Sequence, residues 1–197
     1  MKKFTAPLTQ EEVDEIADCL YEGGIVLLPT DTVYGIAAFN GNSDALHRIT
    51  SMKGRDPTKP IQLLAGSFDA VARSGLIFPA RAKKAANQFW PGALTLVLDR
   101  PDEGTEGVRV PDDETACAIC LAAGGMLRCT SANTSGQPPA LDADMAVAAI
   151  PDADIIVDGG RVKGGIASTV VRITDTSIKY YRIGSISEAD IAACIGH

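Results

Sequence analysis

The chain has 197 residues, room for one sizeable core and too little for two. Apolar residues at 46% and charged residues at 22% are ordinary for a soluble globular protein and exclude a disordered polypeptide. A formal charge of −7 argues against a general nucleic-acid coat, because nonspecific DNA or RNA binding rests on a net basic surface, so any RNA contact has to be local.

The N-terminal Met1-Lys2-Lys3-Phe4-Thr5-Ala6-Pro7 lacks the continuous apolar stretch of a secretory signal, and no run reaches the roughly 18 apolar residues of a membrane span. A cytoplasmic location, with no membrane partner, is expected. Thr9 and Glu12 form a capping box, and Val13, Ile16, Ala17 and Leu20 recur at helical spacing until Gly23-Gly24 ends the pattern. Ile25 to Leu28 is a short apolar run stopped by Pro29, which suits a strand buried on both faces. Ser43 is placed to cap a second helix carrying Ala45, Ile49 and Met52, with Lys53 near its negative C-terminal end.

Ile61 to Ala65 reads as a strand, then Asp69 to Arg73 and Ala80 to Phe89 as helices closed by Trp90-Pro91-Gly92. Strands at Ala93–Leu98 and Gly107–Val110 are joined by an acidic turn and suit a hairpin. A helix at Asp113–Ala123, a strand at Met126–Thr130, a helix at Asp142–Ala149 and strands near Ile155–Val157, Thr169–Ile173 and Lys179–Arg182 follow, and Ser187 with Asp190 caps a last short helix. Helices and strands alternate, yet several strands follow one another directly. The expected class is therefore α/β with a mixed sheet.

Five cysteines at 19, 117, 120, 129 and 194 do not make a disulfide framework. Cys117 and Cys120 form a C-x-x-C, but inside a helix and not at its N-terminus, where a redox pair would sit. His47 and His197 complete no zinc site. The thiols read as buried small apolar residues.

Positive charge is concentrated in one segment punctuated by Gly and Pro, Lys53-Gly54-Arg55-Asp56-Pro57-Thr58-Lys59-Pro60. If the backbone runs extended after the second helix, Lys53 and Arg55 point to one side, and Lys59 joins them across a turn. Such a set suits a phosphate chain, with Arg gripping as a fork and Lys as a point charge. A solvated basic turn is the plain alternative. Ser131-Ala132-Asn133 offers a hydroxyl and an amide that orient a ligand or simply make a polar turn. Arg109 alternates with Val108 and Val110 and so faces away from both. No Ser-His-Asp or Cys-His set and no Walker or Rossmann loop occurs, so any chemistry rests on positioning and charge neutralisation.

With Pro29-Thr30-Asp31-Thr32-Val33-Tyr34-Gly35 upstream and Thr130-Ser131-Ala132-Asn133-Thr134-Ser135-Gly136 downstream, the chain resembles the YrdC-like family of threonylcarbamoyl-AMP synthases from about Gly23 to Ile183. The resemblance implies one YrdC-like domain over residues 1–197, core about 10–185, with a twisted mixed sheet, flanking helices and a concave basic cleft. It implies that L-threonine, bicarbonate and ATP give threonylcarbamoyl-AMP and pyrophosphate, with Mg2+ held through ATP and no metal site in the protein itself. The product would pass to partner transferase proteins for N6-threonylcarbamoyladenosine modification of tRNA.

Carried residue by residue, the resemblance makes Lys53 and Arg55 catalytic. Lys53, Arg55, Lys59, Thr105, Ser131, Asn133 and Arg182 are ATP contacts, and Thr32, Arg109, Ser131 and Ser168 are threonine contacts. Two departures stand out: Asp56 lies where the family often has Pro, and Leu64 where some members have His. The chain resembles the short members of the family, without an added C-terminal domain. The rival reading is a noncatalytic module of the same fold that binds double-stranded RNA or tRNA, and a paralogue with another substrate is a third.

Overall fold

The computed structural model describes residues 1–196, so His197 lies outside it. In chain order the strands are β1 (Lys2–Thr5), β2 (Val26–Leu28), β3 (Gly35–Phe39), β4 (Leu63–Ala65), β5 (Leu94–Asp99), β6 (Thr105–Arg109), β7 (Met126–Ser131), β8 (Ile155–Asp158), β9 (Thr169–Ile173) and β10 (Ile178–Arg182). The helices are α1 (Gln10–Tyr21), α2 (Ser43–Met52), α3 (Phe68–Ala72), α4 (Ala80–Phe89), α5 (Glu114–Ala122), α6 (Ala143–Ala149) and α7 (Glu188–Ile195). All ten strands join one sheet in the order β1-β8-β2-β3-β7-β4-β6-β5-β9-β10. Parallel pairs β1/β8, β8/β2, β4/β6 and β5/β9 stand beside antiparallel ones, so the sheet is mixed, and β5/β6 is the expected hairpin.

The two halves of the sheet are covered differently, and that difference makes the cleft. Around β2, β3 and β8, α1 and α5 cover one face through Ile16, Leu20, Ala116 and Ile119. On the other face, α2 and α6 pack through Ala45, Ile49 and Ala146 against Ile25, Leu27 and Ile36. Burial on both faces is why Ile25 to Leu28 is a continuous apolar run. Around β5, β6 and β9, helices α3, α4 and α7 cover one face only. Leu94, Leu96, Leu98, Val108, Val171 and Ile173 meet that cover, each worth about 1.5–3 kcal/mol of burial. The alternate residues Thr95, Val97, Gly107, Arg109 and Val170 face the other way and floor an open cleft.

Several sequence expectations need correction. Strand β1 was not expected, because Lys2-Lys3 hides it and its pairing is a single edge on β8. Strand β3 directly follows the Thr30–Tyr34 loop, with no turn signal to set its four buried residues apart. Helix α2 is capped by Asn42, whose side chain accepts from Ala45 N at 2.9 Å, one residue earlier than Ser43. All five cysteines are free, but only Cys120 and Cys129 are buried; Cys19, Cys117 and Cys194 are half-buried. Burial pushes the Cys129 thiol up to about 12, so it is inert as a nucleophile at neutral pH.

Candidate active-site cleft

The cleft has a volume of about 930 Å³, and its lining carries four cations, Arg55, Lys59, Arg109 and Arg182, and no carboxylate. Charge of one sign in a walled cleft focuses the field on an anion, even though the chain is acidic overall. A smaller recess of about 330 Å³ opens beside it under Gly54, Ser135 and Gly136, and shares Arg55, Lys59, Ser131 and Asn133 with the main cleft.

Lys53 and Arg55 part company, contrary to the extended-backbone expectation. Lys53 caps α2 in a helical conformation and Gly54 takes φ +54, so the chain turns back and drives the lysine inward. Lys53 is 1% exposed. Its Nζ donates to Ser131 O, to Asn133 O at 2.6 Å and to Asn133 Oδ1 at 3.3 Å, which occupies all three donors of the ammonium. Burial, and then the nearby Arg55 charge, lowers its pKa to about 8. Ser135 N donates back to Lys53 O at 2.8 Å.

The Ser131–Asn133 turn is closed by its own groups as well. Ser131 Oγ donates to Asn133 Oδ1 at 2.5 Å, and Asn133 Nδ2 donates to Thr134 O and Gln137 O at 2.9 and 2.7 Å. Arg55 lines the cleft and donates from Nη2 to Pro60 O at 3.0 Å. Asp56 accepts Thr58 N and Thr58 Oγ1 at 2.9 and 2.7 Å, an Asx turn that shapes this loop without a proline at that position. Lys59 and Thr105 are exposed at the rim.

Arg109 is 3% exposed. Nη1 donates to Thr32 Oγ1 and Nη2 to Asp31 Oδ1, both at 2.9 Å. Thr30 Oγ1 lies 3.0 Å from Thr32 Oγ1 and donates to Val33 O at 2.7 Å, so the hydroxyls form a one-way chain away from the guanidinium. Arg109 Nε is the only buried side-chain nitrogen or oxygen without a partner among the described residues. Asp113 caps α5 nearby, and burial raises its pKa. Neither Asp31 nor Asp113 was singled out from sequence; the adjacency of Asp31 to Thr32 was the available signal for the first.

Ser168 and Arg182 meet across the β9/β10 end of the cleft. Arg182 Nε donates to Ser168 O at 2.9 Å and Nη2 to Ser168 Oγ at 3.1 Å. A bulge between Tyr180 and Arg182 lets both Tyr181 and Arg182 line the cleft, which strict alternation forbids. The backbone of Gly184 lies so close to Ala167 O that an added Cβ would sit 2.0 Å from it. Leu64 is 1% exposed and forms part of the apolar wall. The structure thus brings Thr32, Arg55, Lys59, Thr105, Arg109, Ser131, Asn133, Ser168 and Arg182 to one cleft, with Lys53 behind its wall in the smaller recess.

This fold and cleft define a class of protein that is matched by sequence as well. The family model Sua5/YciO/YrdC, described as telomere recombination, matches residues 18–184, and the chain belongs to that family. A Chromohalobacter salexigens threonylcarbamoyl-AMP synthase is 35% identical over 174 residues, covering 80% of this chain and 91% of its own. The Bacillus subtilis threonylcarbamoyl-AMP synthase is 34% identical over 197 residues, 94% of this chain and 57% of its own length. The crystal structure of P. abyssi Sua5 complexed with L-threonine superposes with a TM-score of 0.90 at 29% identity, over 99% of this chain and 60% of that one. The chain therefore spans less than two thirds of those last two relatives.

Proposed function

We propose that this chain is an L-threonylcarbamoyladenylate synthase, a nucleotidyltransferase that joins L-threonine, bicarbonate and ATP into threonylcarbamoyl-AMP and pyrophosphate. The observation that carries the reading is Arg109. A guanidinium fixed by Asp31 and Thr32 lines a cleft that carries three further cations and is large enough for a nucleotide. A carboxylate from the amino acid would meet that guanidinium, and the phosphates would meet Arg55, Lys59 and Arg182.

In this reading an N-carboxylated threonine presents its carbamate oxygen to the α-phosphorus, the P–O bond to pyrophosphate breaks, and the cations neutralise the leaving group. Mg2+ would arrive on the ATP phosphates, since the cleft lining offers them cations and hydroxyls but no carboxylate for an ion of its own. Lys53 supports the Ser131–Asn133 turn from behind. The product would serve N6-threonylcarbamoyladenosine formation on tRNA through partner transferases.

The test is pyrophosphate release, with threonine, bicarbonate, Mg2+ or ATP each omitted in turn. Release should need all four together, and ATP turnover independent of threonine rejects the reading. An RNA-binding module of the same fold would release no pyrophosphate and would bind RNA with an affinity that falls steeply with salt.

A further inference from the structure

A polar chain crosses the cleft floor and ends on a residue the proposed reaction leaves unused. Arg182 only donates, and Ser168 Oγ accepts from it at 3.1 Å. Ser168 Oγ and Thr95 Oγ1 are 2.8 Å apart, and Thr95 Oγ1 donates to Gln62 Oε1 at 3.2 Å. With Thr95 donating onward, Ser168 supplies the proton between the two hydroxyls, and the chain runs one way from Arg182 to Gln62. Thr95 is fully buried and Ser168 nearly so, so this order is shielded from water.

Gln62 terminates the chain as an acceptor, which turns its amide so that Nε2 is the end left over. Among the described residues the one side-chain hydrogen bond of Gln62 is the one its Oε1 accepts from Thr95, and Gln62 lines the cleft. Its backbone is pinned, because Cys129 N donates to Gln62 O at 2.9 Å. The neighbouring strand leaves space beside it. Gly107 has no backbone need for glycine, yet a Cβ there would stand 3.4 Å from Gln62 Cβ and 3.6 Å from Thr95 Cγ2. The missing side chain leaves a flat floor flanked by Val97 and Val170, with one amide donor at its edge.

We infer that Gln62 is a specificity-determining residue for the nucleotide, donating from Nε2 to an acceptor atom of a planar heteroaromatic base that lies over Gly107. A flat apolar floor suits a ring, and a donor with its oxygen already committed to Thr95 selects an acceptor on that ring. This rests on the nucleotide reading of the cleft and adds to it the side chain that meets the base.

Calorimetric titrations of ATP, inorganic tripolyphosphate and L-threonine into wild type, Gln62→Met, Gln62→Glu and Thr95→Val test it. Gln62→Met should weaken ATP binding by about three- to tenfold, the loss of one hydrogen bond, with tripolyphosphate and threonine within about twofold of wild type. Gln62→Glu should lose more, since a carboxylate there faces an acceptor. Thr95→Val, which frees the amide to turn, should show a smaller loss on ATP alone. Unfolding midpoints show that each variant is folded. ATP affinity within about twofold for both Gln62 variants overturns the inference, as does a loss equally large on tripolyphosphate or confined to threonine. A wild type that binds ATP with this pattern but releases no pyrophosphate overturns the proposed reaction and leaves Gln62 standing. A wild type that binds no ATP overturns both.

Discussion

Lys53 Nζ lies 2.6 Å from the backbone carbonyl of Asn133, 80 residues further along the chain, and this bond joins the two loops that sequence alone presented as separate contributors. The cation that stands first in the basic segment is turned onto the protein's own oxygens. Its ammonium sits within a ring of main-chain and amide oxygens, where desolvation is offset by three acceptors and the Ser131–Asn133 turn gains a fixed path.

Lys53→Met should therefore act through the turn. It leaves Asn133 O without its donor, at about 1–3 kcal/mol for an acceptor left unpaired, while Ser131 O keeps the Asn133 N–H at 3.0 Å, and a lowered urea midpoint would show the loss. KM for ATP and for threonine should rise together, because the turn borders both proposed ends. The folded-state pKa of about 8 lies below the unfolded 10.5, so the unfolded chain binds the extra proton between those values. Wild-type stability relative to Lys53→Met should then rise with pH across that window. A difference that falls there contradicts the burial assignment.

Much of the fold was legible because its signals are local. The Thr9 and Ser187 capping boxes, the period of α1 and the β5/β6 hairpin each announce themselves within one short stretch of chain. What the sequence hid was set by long-range pairing. Lys2-Lys3 forms a strand only because β8 is there to pair with it. Arg109 alternates with valines as a solvated residue would, and only Asp31 and Thr32, 78 and 77 residues away, make burial tolerable. Lys53 and Arg55 share a motif but not a direction, because Gly54 reverses the chain between them. Gln62 carried no signal beyond being polar at the start of an apolar strand.

Gly184→Ala should destabilise by about 1–3 kcal/mol or more, as overpacking against backbone does. The added Cβ would meet Ala167 O at 2.0 Å and Ser168 C at 2.6 Å, and neither can rotate away. The relief has to come from parting β10 from the Ser168 segment, which breaks the Arg182–Ser168 bonds. Urea unfolding measures the loss, and a midpoint equal to wild type would mean the approach is looser than this.

Asp113→Asn keeps the α5 cap while removing a carboxylate whose pKa is raised by burial. Asn caps as well as Asp, whereas Asp113→Ala should lose about 1 kcal/mol. The folded state binds the extra proton just above the ordinary 3.8, so wild type loses stability as pH climbs out of that range and Asp113→Asn does not. Thermal unfolding at pH 4 and pH 7 should show the Asn variant gaining on wild type at the higher pH. A gain at the lower pH would reverse the sign and point to the Arg109 charge as the larger influence.

Arg109 is the sharpest test of the amino-acid end, and alanine is the wrong first substitution. Removing the guanidinium strands Asp31 beside a buried wall, a change that costs about 3–5 kcal/mol in comparable pairs and confuses folding with binding. Arg109→Lys keeps a cation for Asp31 but replaces the planar fork that holds Asp31 and Thr32 at once with a single point charge. KM for threonine should rise at least about tenfold, in line with losing a charge-assisted hydrogen bond, while KM for ATP stays within about threefold. Threoninol, which has the side chain and amine of threonine but no carboxylate, should bind wild type and Arg109→Lys equally weakly, because the group that Arg109 would grip is absent from it. Equal rises in both KM values, or a threoninol affinity that drops with the substitution, would move the carboxylate contact away from Arg109.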